Sequence, residues 1–279
     1  MNIAIITARG GSVRLPRKNV RPFCGHPLIA WSITAALNSQ TVDSVVVSTD
    51  DDEIQDISLQ YGASVIRRPD WPNPNELAAN VPIGHAIDEL YKVHGNAFTE
   101  LVTILPTVPL IKPEDIDNLV RKRRELGADR LSPIIPQRET CLYKLITKNH
   151  ARLAIFDKKY NYGIQVGGIV STTPKCFIAF NDELPSKLDK VLDLPENWSS
   201  IEYYWVPAEY WQYADVDTAA EFEFAELVME HHILKGQGMK VYTDYRASWE
   251  KALETIKESI DPKEVAKLVL SKYGNSEQR

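Results

Sequence analysis

The sequence predicts an α/β fold in which a mostly parallel sheet is covered by helices on both faces. Three observations carry that expectation. Apolar runs of strand length alternate with segments of helical periodicity. The first run, NIAIITA at residues 2–8, is β-branched and ends at glycines, which suits a strand buried on both faces. The 279 residues and 44% hydrophobic content are enough for one large core.

After that strand, PLIAWSITAALNSQ at 27–40 carries apolar residues at helical spacing and SVVVS at 44–48 reads as the next strand, completing a βαβ unit. TDDDEIQDISLQYGA follows as a capped amphipathic helix ending at Gly62, with Asp50 and Glu53 at capping spacing, and SVIRRP as the strand after it. LVTILP is a further buried strand, and KPEDIDNLVRKRREL a helix whose Pro113 sits where a first turn tolerates it. Residues 131–180 are less regular and read as strands lying away from the parallel series, suited to a lid or a subunit contact. YWQYADVDTAAEFEFAELVMEHHILKGQG reads as a strand, a turn and a long helix with stop signals at Gly236 and Gly238. Late in that helix His231 and His232 suit the C-terminal dipole, and the aromatic-rich WSSIEYYWVPAEYWQY suits core or dimer packing. From about residue 240 two further helices are expected, split near Pro262. The expected organisation is a main domain over 1–238, holding the insert at about 131–180, and a helical extension over 239–279.

Composition excludes several classes of function. A net charge of −6 leaves no basic footprint for nucleic acid or an anionic membrane, so any phosphate site must be local. Cys24, Cys141 and Cys176 are widely spaced without a CxxC pair, which indicates reduced thiols rather than a disulfide framework or a structural zinc. No stretch has the length of a membrane helix, and NIAIITA lacks the basic leader of a signal peptide, so the expected location is the cytoplasm.

The loop after the first strand carries the chemistry. Gly10 and Gly11 remove side chains where backbone N–H groups approach a ligand, and Arg9, Arg14, Arg17 and Lys18 gather four cations beside them. That combination suits a polyphosphate. Neither GxGxxG nor GxxxxGK[ST] is present, so the loop is neither a dinucleotide fingerprint nor a Walker site. The bland alternative is a tight turn with solvated cations.

The stretch IAIITARGGSVRLPRKNV resembles the N-terminal signature of the acylneuraminate cytidylyltransferases, the CMP-sialic acid synthetase family, in which an ARxxSxxxPxKN loop holds the triphosphate of CTP. The likeness continues through GHPLIAWSITAAL, VDSVVVSTDDDEI, YGASVIRRP, LPTVPLI and ADVDTAAEFEFAE, roughly residues 2–230. It implies a Rossmann-like sheet with a small inserted dimerisation element, a homodimer, and transfer of CMP from CTP to an acidic sugar with release of pyrophosphate. It also implies roles residue by residue. Arg9 and Lys18 would contact the phosphates and act catalytically with Asp217. Ala8, Gly10, Gly11, Ser12, Arg14, Asn19, Arg68 and Ala78 would complete the nucleotide site, with Arg68 near the cytosine unless it is a strand-edge surface cation.

Asp215 and Asp217 stand one residue apart, and in an extended segment two such carboxylates share a face. Magnesium takes one or two carboxylates with phosphate oxygens and water, so this pair suits Mg²⁺. Thr218 and Glu221 also have capping-box spacing, and the two readings are compatible.

The acceptor side departs from the family. Its LxQPTSPLR has polar residues where this chain carries Leu105, Val108 and Ile111, its usual lysine after the loop serine is Val13, its LAxD reads LAANVPIG after extra residues DWPNPNE, and its NGAIY asparagine is Gly167. A cation for the acceptor acid is expected among Arg138, Lys144, Lys158 and Lys159. These departures keep two alternatives open: nucleotidyl transfer to a phosphonate or sugar phosphate, and a catalytically degenerate nucleotide-binding protein. A nicotinamide oxidoreductase fits less well, because the loop cations suit a triphosphate and no acidic ribose ligand stands at the expected distance.

Overall fold

The computed structural model describes residues 1–72, 77, 80–128, 130–137, 141–147, 150–156, 162–165, 168–174, 204–209, 211–212 and 215–243. The chain divides into two compact units, Met1–Lys235 and Gly236–Arg279. The helices expected around Pro262 and the residues Cys176, Ala78 and Gly167 lie outside the described residues.

Strand β1 (Asn2–Ala8) is the axis of the first unit. It pairs in parallel with β4 (Ser44–Thr49) on one side and β6 (Glu100–Ile104) on the other, with Ile5 opposite both Val46 and Thr103. Beyond β4 lies β5 (Ser64–Arg67), also parallel. Successive side chains of β1 enter different cores. Ala4, Ile6 and Ala8 join Ile29 and Ile33 of α1 (Leu28–Leu37), Ile54 of α2 (Asp52–Gln60), and Ile116, Leu119 and Val120 of α4 (Pro113–Leu126). Ile3 and Ile5 instead join Ile83, Ala86, Ile87 and Leu90 of α3 (Asn80–His94). Each such aliphatic side chain, moved fully from water, stabilises the fold by about 1.5–3 kcal/mol. The continuous apolar character of NIAIITA thus reflects helices on both faces, as expected.

Helix α3 was not anticipated. Pro82 and Gly84 in its first two turns read as breakers, yet proline is tolerated at a helix start and Ile83, Ala86, Ile87 and Leu90 keep helical spacing. The other helices start and stop as their residues require. Pro113 occupies the first turn of α4 and Gly127 closes it at φ 60°. Gly62 ends the turn after α2 at φ 90°.

The middle of the chain corrects one expectation. Strands β7 (Arg130–Gln137), β10 (Tyr162–Gln165) and β11 (Ile169–Thr172) do not lie away from the main series but extend it, in the order β10-β7-β11-β6-β1-β4-β5. β11 runs antiparallel to β6, with Ile169, Ser171 and Thr172 buried, so the open side of β6 is paired rather than left as an edge. β8 (Cys141–Thr147) and β9 (His150–Phe156) form a separate two-stranded ribbon. The aromatic segment contributes β12 (Tyr204–Pro207), parallel to β7 and earlier than expected, while Trp211 and Gln212 sit in a turn. The long helix is α5 (Ala219–Val228), continued by a π-helical segment Met229–Leu234 and broken by Lys235 at φ 47° and Gly236 at φ 76°. His232 in that segment stacks on Trp211.

Two small features hold the start of the site. Strands β2 (Pro22–Phe23) and β3 (His26–Pro27) form a tight hairpin whose Phe23 carbonyl accepts from buried Trp31 Nε1 at 2.8 Å. Cys24, at its turn, donates its backbone N–H to Glu226 Oε1 of α5 at 2.9 Å, and burial first, then the nearby Glu226 and Glu230, pushes its thiol up to about 12. Such a thiol stays protonated at neutral pH, consistent with the inert cysteines expected.

Gly168, just before β11, marks a close approach. Its φ is 106°, its carbonyl accepts from Leu105 N at 2.7 Å, and a Cβ there would lie 2.7 Å from both Val108 methyl carbons. Gly168→Ala should therefore destabilise the protein by about 2 kcal/mol or more, lowering Tm by roughly 4–8 °C, which a calorimetric scan measures.

Candidate nucleotide and metal site

β1 is the point at which strand order reverses, its neighbours β4 and β6 being reached in opposite directions along the sheet. In open α/β sheets ligand crevices form beyond the carboxyl ends of strands at such a point. Here a cleft of about 410 Å³ opens, lined by Thr7 of β1, Leu105–Thr107 after β6, the loop residues Arg9, Ser12–Leu15, Lys18 and Asn19, Arg68 after β5, Leu77, Pro82, Asp215 and Asp217. Four cations and two carboxylates therefore face one cavity.

The loop ends in a 3₁₀ turn, Lys18–Val20, which turns Lys18 and Asn19 inward, 8% and 6% exposed. Buried lysine needs a counter-charge. Lys18 Nζ lies 2.6 Å from Asp217 Oδ1, and Arg14 Nη2 lies 2.5 Å from Asp217 Oδ2. Asn19 Nδ2 donates to the Arg9 carbonyl at 3.0 Å, while its Oδ1 is buried with no hydrogen-bond partner among the described residues. That orphan acceptor suits a hydroxyl or amine donor of a ligand. Arg68 is not a surface cation. Its Nε and Nη2 donate to Ser48 Oγ and Ser48 O at 3.0 and 2.8 Å, and burial, partly offset by Asp50 and aided by Arg9, lowers its pKa to about 10. It keeps its charge at neutral pH.

The two aspartates reach the cleft on a strap tied down on both sides. Gln212 Nε2 donates to Asp115 of α4 at 3.1 and 3.0 Å, and Val216 N donates to Thr107 O at 2.7 Å. Val216 is fully buried between the acids, so Asp215 and Asp217 both turn to the cleft. Immediately after them Thr218 caps α5: Glu221 N donates to Thr218 Oγ1, and Glu221 Oε2 accepts from Thr218 N and Asp217 N. Capping and cleft placement coexist, as the spacing allowed. Among the described residues no group of three or more His, Cys, Asp or Glu forms a metal cage. Two carboxylates among cleft cations nevertheless fit Mg²⁺, which commonly leaves its remaining positions to phosphate oxygens and water.

Not every expected residue arrives at the cleft. Of the proposed nucleotide ligands, Arg9, Ser12, Arg14, Lys18, Asn19 and Arg68 line it, while Ala8, Gly10 and Gly11 do not. Gly10 turns toward the β4–α2 junction, where its N–H donates to Asp50 Oδ1 at 2.9 Å. Its missing side chain makes room for the Asp51 carboxylate. Arg17 also leaves the cluster of four and pairs with Asp51 and Glu53. The cap of α2 is accordingly Asp51, which accepts from Ile54 N at 3.0 Å, and not Asp50. Of Leu105, Val108 and Ile111, Leu105 faces the cleft, whereas Val108 and Ile111 are buried in the core, so their apolar character serves packing. Lys144 lies on β8 opposite Arg152, and Arg138, Lys158 and Lys159 fall outside the described residues. Thr7, Pro106 and Thr107 line the cleft without being singled out by any motif, although their places at strand ends were readable.

Residues 3–161 match the family model described as cytidylyltransferase. Among curated proteins, the chain is 42% identical over 134 residues to the CMP-N,N'-diacetyllegionaminic acid synthase of Legionella pneumophila, covering 47% of this chain and 56% of that one. It is 36% identical over 121 residues to a pseudaminic acid cytidylyltransferase of Campylobacter jejuni, covering 43% and 52%. The chain thus spans about half the length of these relatives. A weaker likeness, 25% over 239 residues, covers 84% of this chain and 97% of the post-translational flagellin modification protein B of Campylobacter coli. Among solved structures, a CMP:2-keto-3-deoxy-manno-octonic acid synthetase complexed with CTP superposes with a TM-score of 0.60 at 19% identity, over 84% of this chain and 100% of that one. A 4-diphosphocytidyl-2C-methyl-D-erythritol synthase from Anaerococcus prevotii gives 0.58 at 14%, over 82% and 95%. These two likenesses establish the Rossmann-like fold.

With both Asp217 oxygens engaged by Lys18 and Arg14, an incoming polyanion must compete with an internal carboxylate for the same cations. Asp217→Asn should therefore tighten binding of inorganic tripolyphosphate in the presence of a chelator by about 5- to 10-fold, roughly 1 kcal/mol. Titration calorimetry on the two proteins decides it; weaker binding by the variant would mean the cations are not the anion site.

Proposed function

The chain belongs to the cytidylyltransferase family, and from that premise we propose that it transfers CMP from CTP to an acidic sugar, a nonulosonic acid such as a sialic acid relative, with release of pyrophosphate. The observation that carries this reading is the cleft at the strand-order switch, where Arg9, Arg14, Lys18 and Arg68 face Asp215 and Asp217. The acceptor class is taken from the names of the legionaminic and pseudaminic acid relatives.

In this reading an acceptor hydroxyl attacks the α-phosphorus in line; the new O–P bond forms, the bond to the β-phosphate oxygen breaks, and the hydroxyl proton is lost. The protein's part is to position the two reactants and to spread the phosphate charge over fixed cations. Arg9 and Lys18 bind the phosphates, with Arg14 and Ser12 beside them. Asn19 Oδ1 and Arg68 take the nucleoside. Asp215 and Asp217 would hold Mg²⁺, which when bound would supply neutralisation of the phosphate charge. The apolar Leu105 and Val13 line the same cleft.

The remaining features of the reading are a homodimer working in the cytoplasm, residues 1–238 as the catalytic domain, and residues 239–279 as an appended helical extension. No helix among the described residues is long and apolar enough to cross a membrane.

The test is pyrophosphate release from CTP and Mg²⁺ across nonulosonic acids, shorter keto-sugar acids, phosphonates and sugar phosphates. Turnover is expected with a nonulosonic acid, lost on chelation and in Asp217→Ala, and lowered about 10²- to 10³-fold in Lys18→Met. Turnover with a phosphonate or sugar phosphate alone would replace the acceptor; CTP binding with no turnover on any acid would sink the enzymatic reading.

A further inference from the structure

Within the glycine-rich loop, Arg17 behaves unlike its neighbours. Arg9, Arg14 and Lys18 line the cleft, whereas Arg17 points away from it. Its backbone is left-handed, φ 57° and ψ 26°, a conformation glycine adopts freely and arginine does not. This single turn sends residue 17 outward and brings Lys18 inward to Asp217 at 2.6 Å. The outward guanidinium meets a prepared partner. Nη1 lies 2.5 Å from Asp51 Oδ2, Nη2 lies 3.2 Å from Asp51 Oδ1, and Nη2 also reaches Glu53. Bidentate arginine–carboxylate pairs fix orientation as well as charge. One residue away, Asp50 Oδ1 accepts from Gly10 N at 2.9 Å, so the β4–α2 junction grips both ends of the loop.

Three acids at the rim of an anion site oppose anion binding unless they are neutralised locally. Their placement makes sense as a clamp rather than as ligands.

We propose that Arg17 is a positioning residue, latching the loop to the N-terminus of α2 through Asp51 and Glu53 and so setting Lys18 against the phosphates. The inference deepens the reading of the same cleft given above and rests on it for the identity of the nucleotide. Asp51 is held below the ordinary carboxylate range, chiefly by its bonds from Arg17, in keeping with a persistent pair.

The experiment compares Arg17→Gly, Asp51→Asn and the double variant in the full chain. Glycine accepts the left-handed turn without strain and asparagine is a good N-cap, so neither change should cost the fold. Three quantities are read: amide hydrogen exchange of residues 9–21 in the ligand-free protein, the Kd for inorganic tripolyphosphate, and kcat and KM for CTP. Expected are loop exchange faster by about 10-fold and kcat lower by about 10-fold in each single variant, with tripolyphosphate Kd and KM within about 3-fold of wild type. The double variant should be no worse than Arg17→Gly, because that single change already removes the pairs to both Asp51 and Glu53. A 10-fold weaker tripolyphosphate Kd in Arg17→Gly alone, with loop exchange unchanged, would make Arg17 a phosphate ligand and overturn the proposal. Unchanged exchange and unchanged kcat would also overturn it, leaving an idle surface pair. If wild type does not turn over CTP, the reading of the previous section fails, while loop exchange still decides the latch: faster in both single variants supports it, unchanged in either overturns it.

Discussion

The interaction on which the site depends is the ion pair between Lys18 and Asp217, 199 residues apart in sequence and 2.6 Å apart in space. Lys18 is nearly buried, and a buried ammonium stripped of its partner costs about 3–5 kcal/mol. The pair therefore ties the first loop of the chain to the strap before α5, and with them the two ends of the cleft. Everything else in the site serves to bring these two groups into register. β1 delivers the loop at the switch point, the 3₁₀ turn rotates Lys18 inward, and Gln212 and Val216 hold the strap at the right height.

The same pair belongs to a pattern by which a chain of net charge −6 gathers cations in one cleft. The carboxylates do not dilute the cations evenly but are assigned to them: Asp217 to Lys18 and Arg14, Asp51 and Glu53 to Arg17. Some of these assignments are exchangeable for ligand groups and some fasten the loop, and position relative to the cleft separates the two kinds. Arg68 is a third kind, held by the oxygens of Ser48 with no carboxylate hydrogen-bonded to it among the described residues, and it lines the cavity.

What was legible in the sequence was what local chemistry determines. The strands NIAIITA, SVVVS and LVTIL, the helix starts at Pro113 and Thr218, and the stops at Gly62 and Gly236 follow from side-chain shape and spacing within a few residues. The cleft residues with a motif, Arg9, Lys18, Arg68 and the two aspartates, were legible through the family likeness. What was not legible depended on partners chosen in three dimensions. Arg17 looks like one of four equivalent cations until Asp51, 34 residues on, is seen beside it. Gly10 looks like a ligand-facing glycine until the Asp51 side chain occupies the space. Val108 and Ile111 look like altered acceptor contacts until both are found in the core. Helix α3 was hidden because Pro82 is a breaker in a helix interior and harmless at a helix start.

Asp51 illustrates how closely such a loop constrains its surroundings. Its carboxylate caps α2 through Ile54 N, pairs with Arg17, and fills the space that a side chain at residue 10 would need. Glutamate would keep the charge but push a further methylene toward Gly10, serine would keep the cap without the charge, and alanine would keep neither. Each obligation alone admits substitutes, and together they admit almost none. Residues 10, 17 and 51 are therefore coupled through one carboxylate: a side chain at residue 10 needs a smaller residue at 51, and a neutral residue at 51 leaves Arg17 with Glu53.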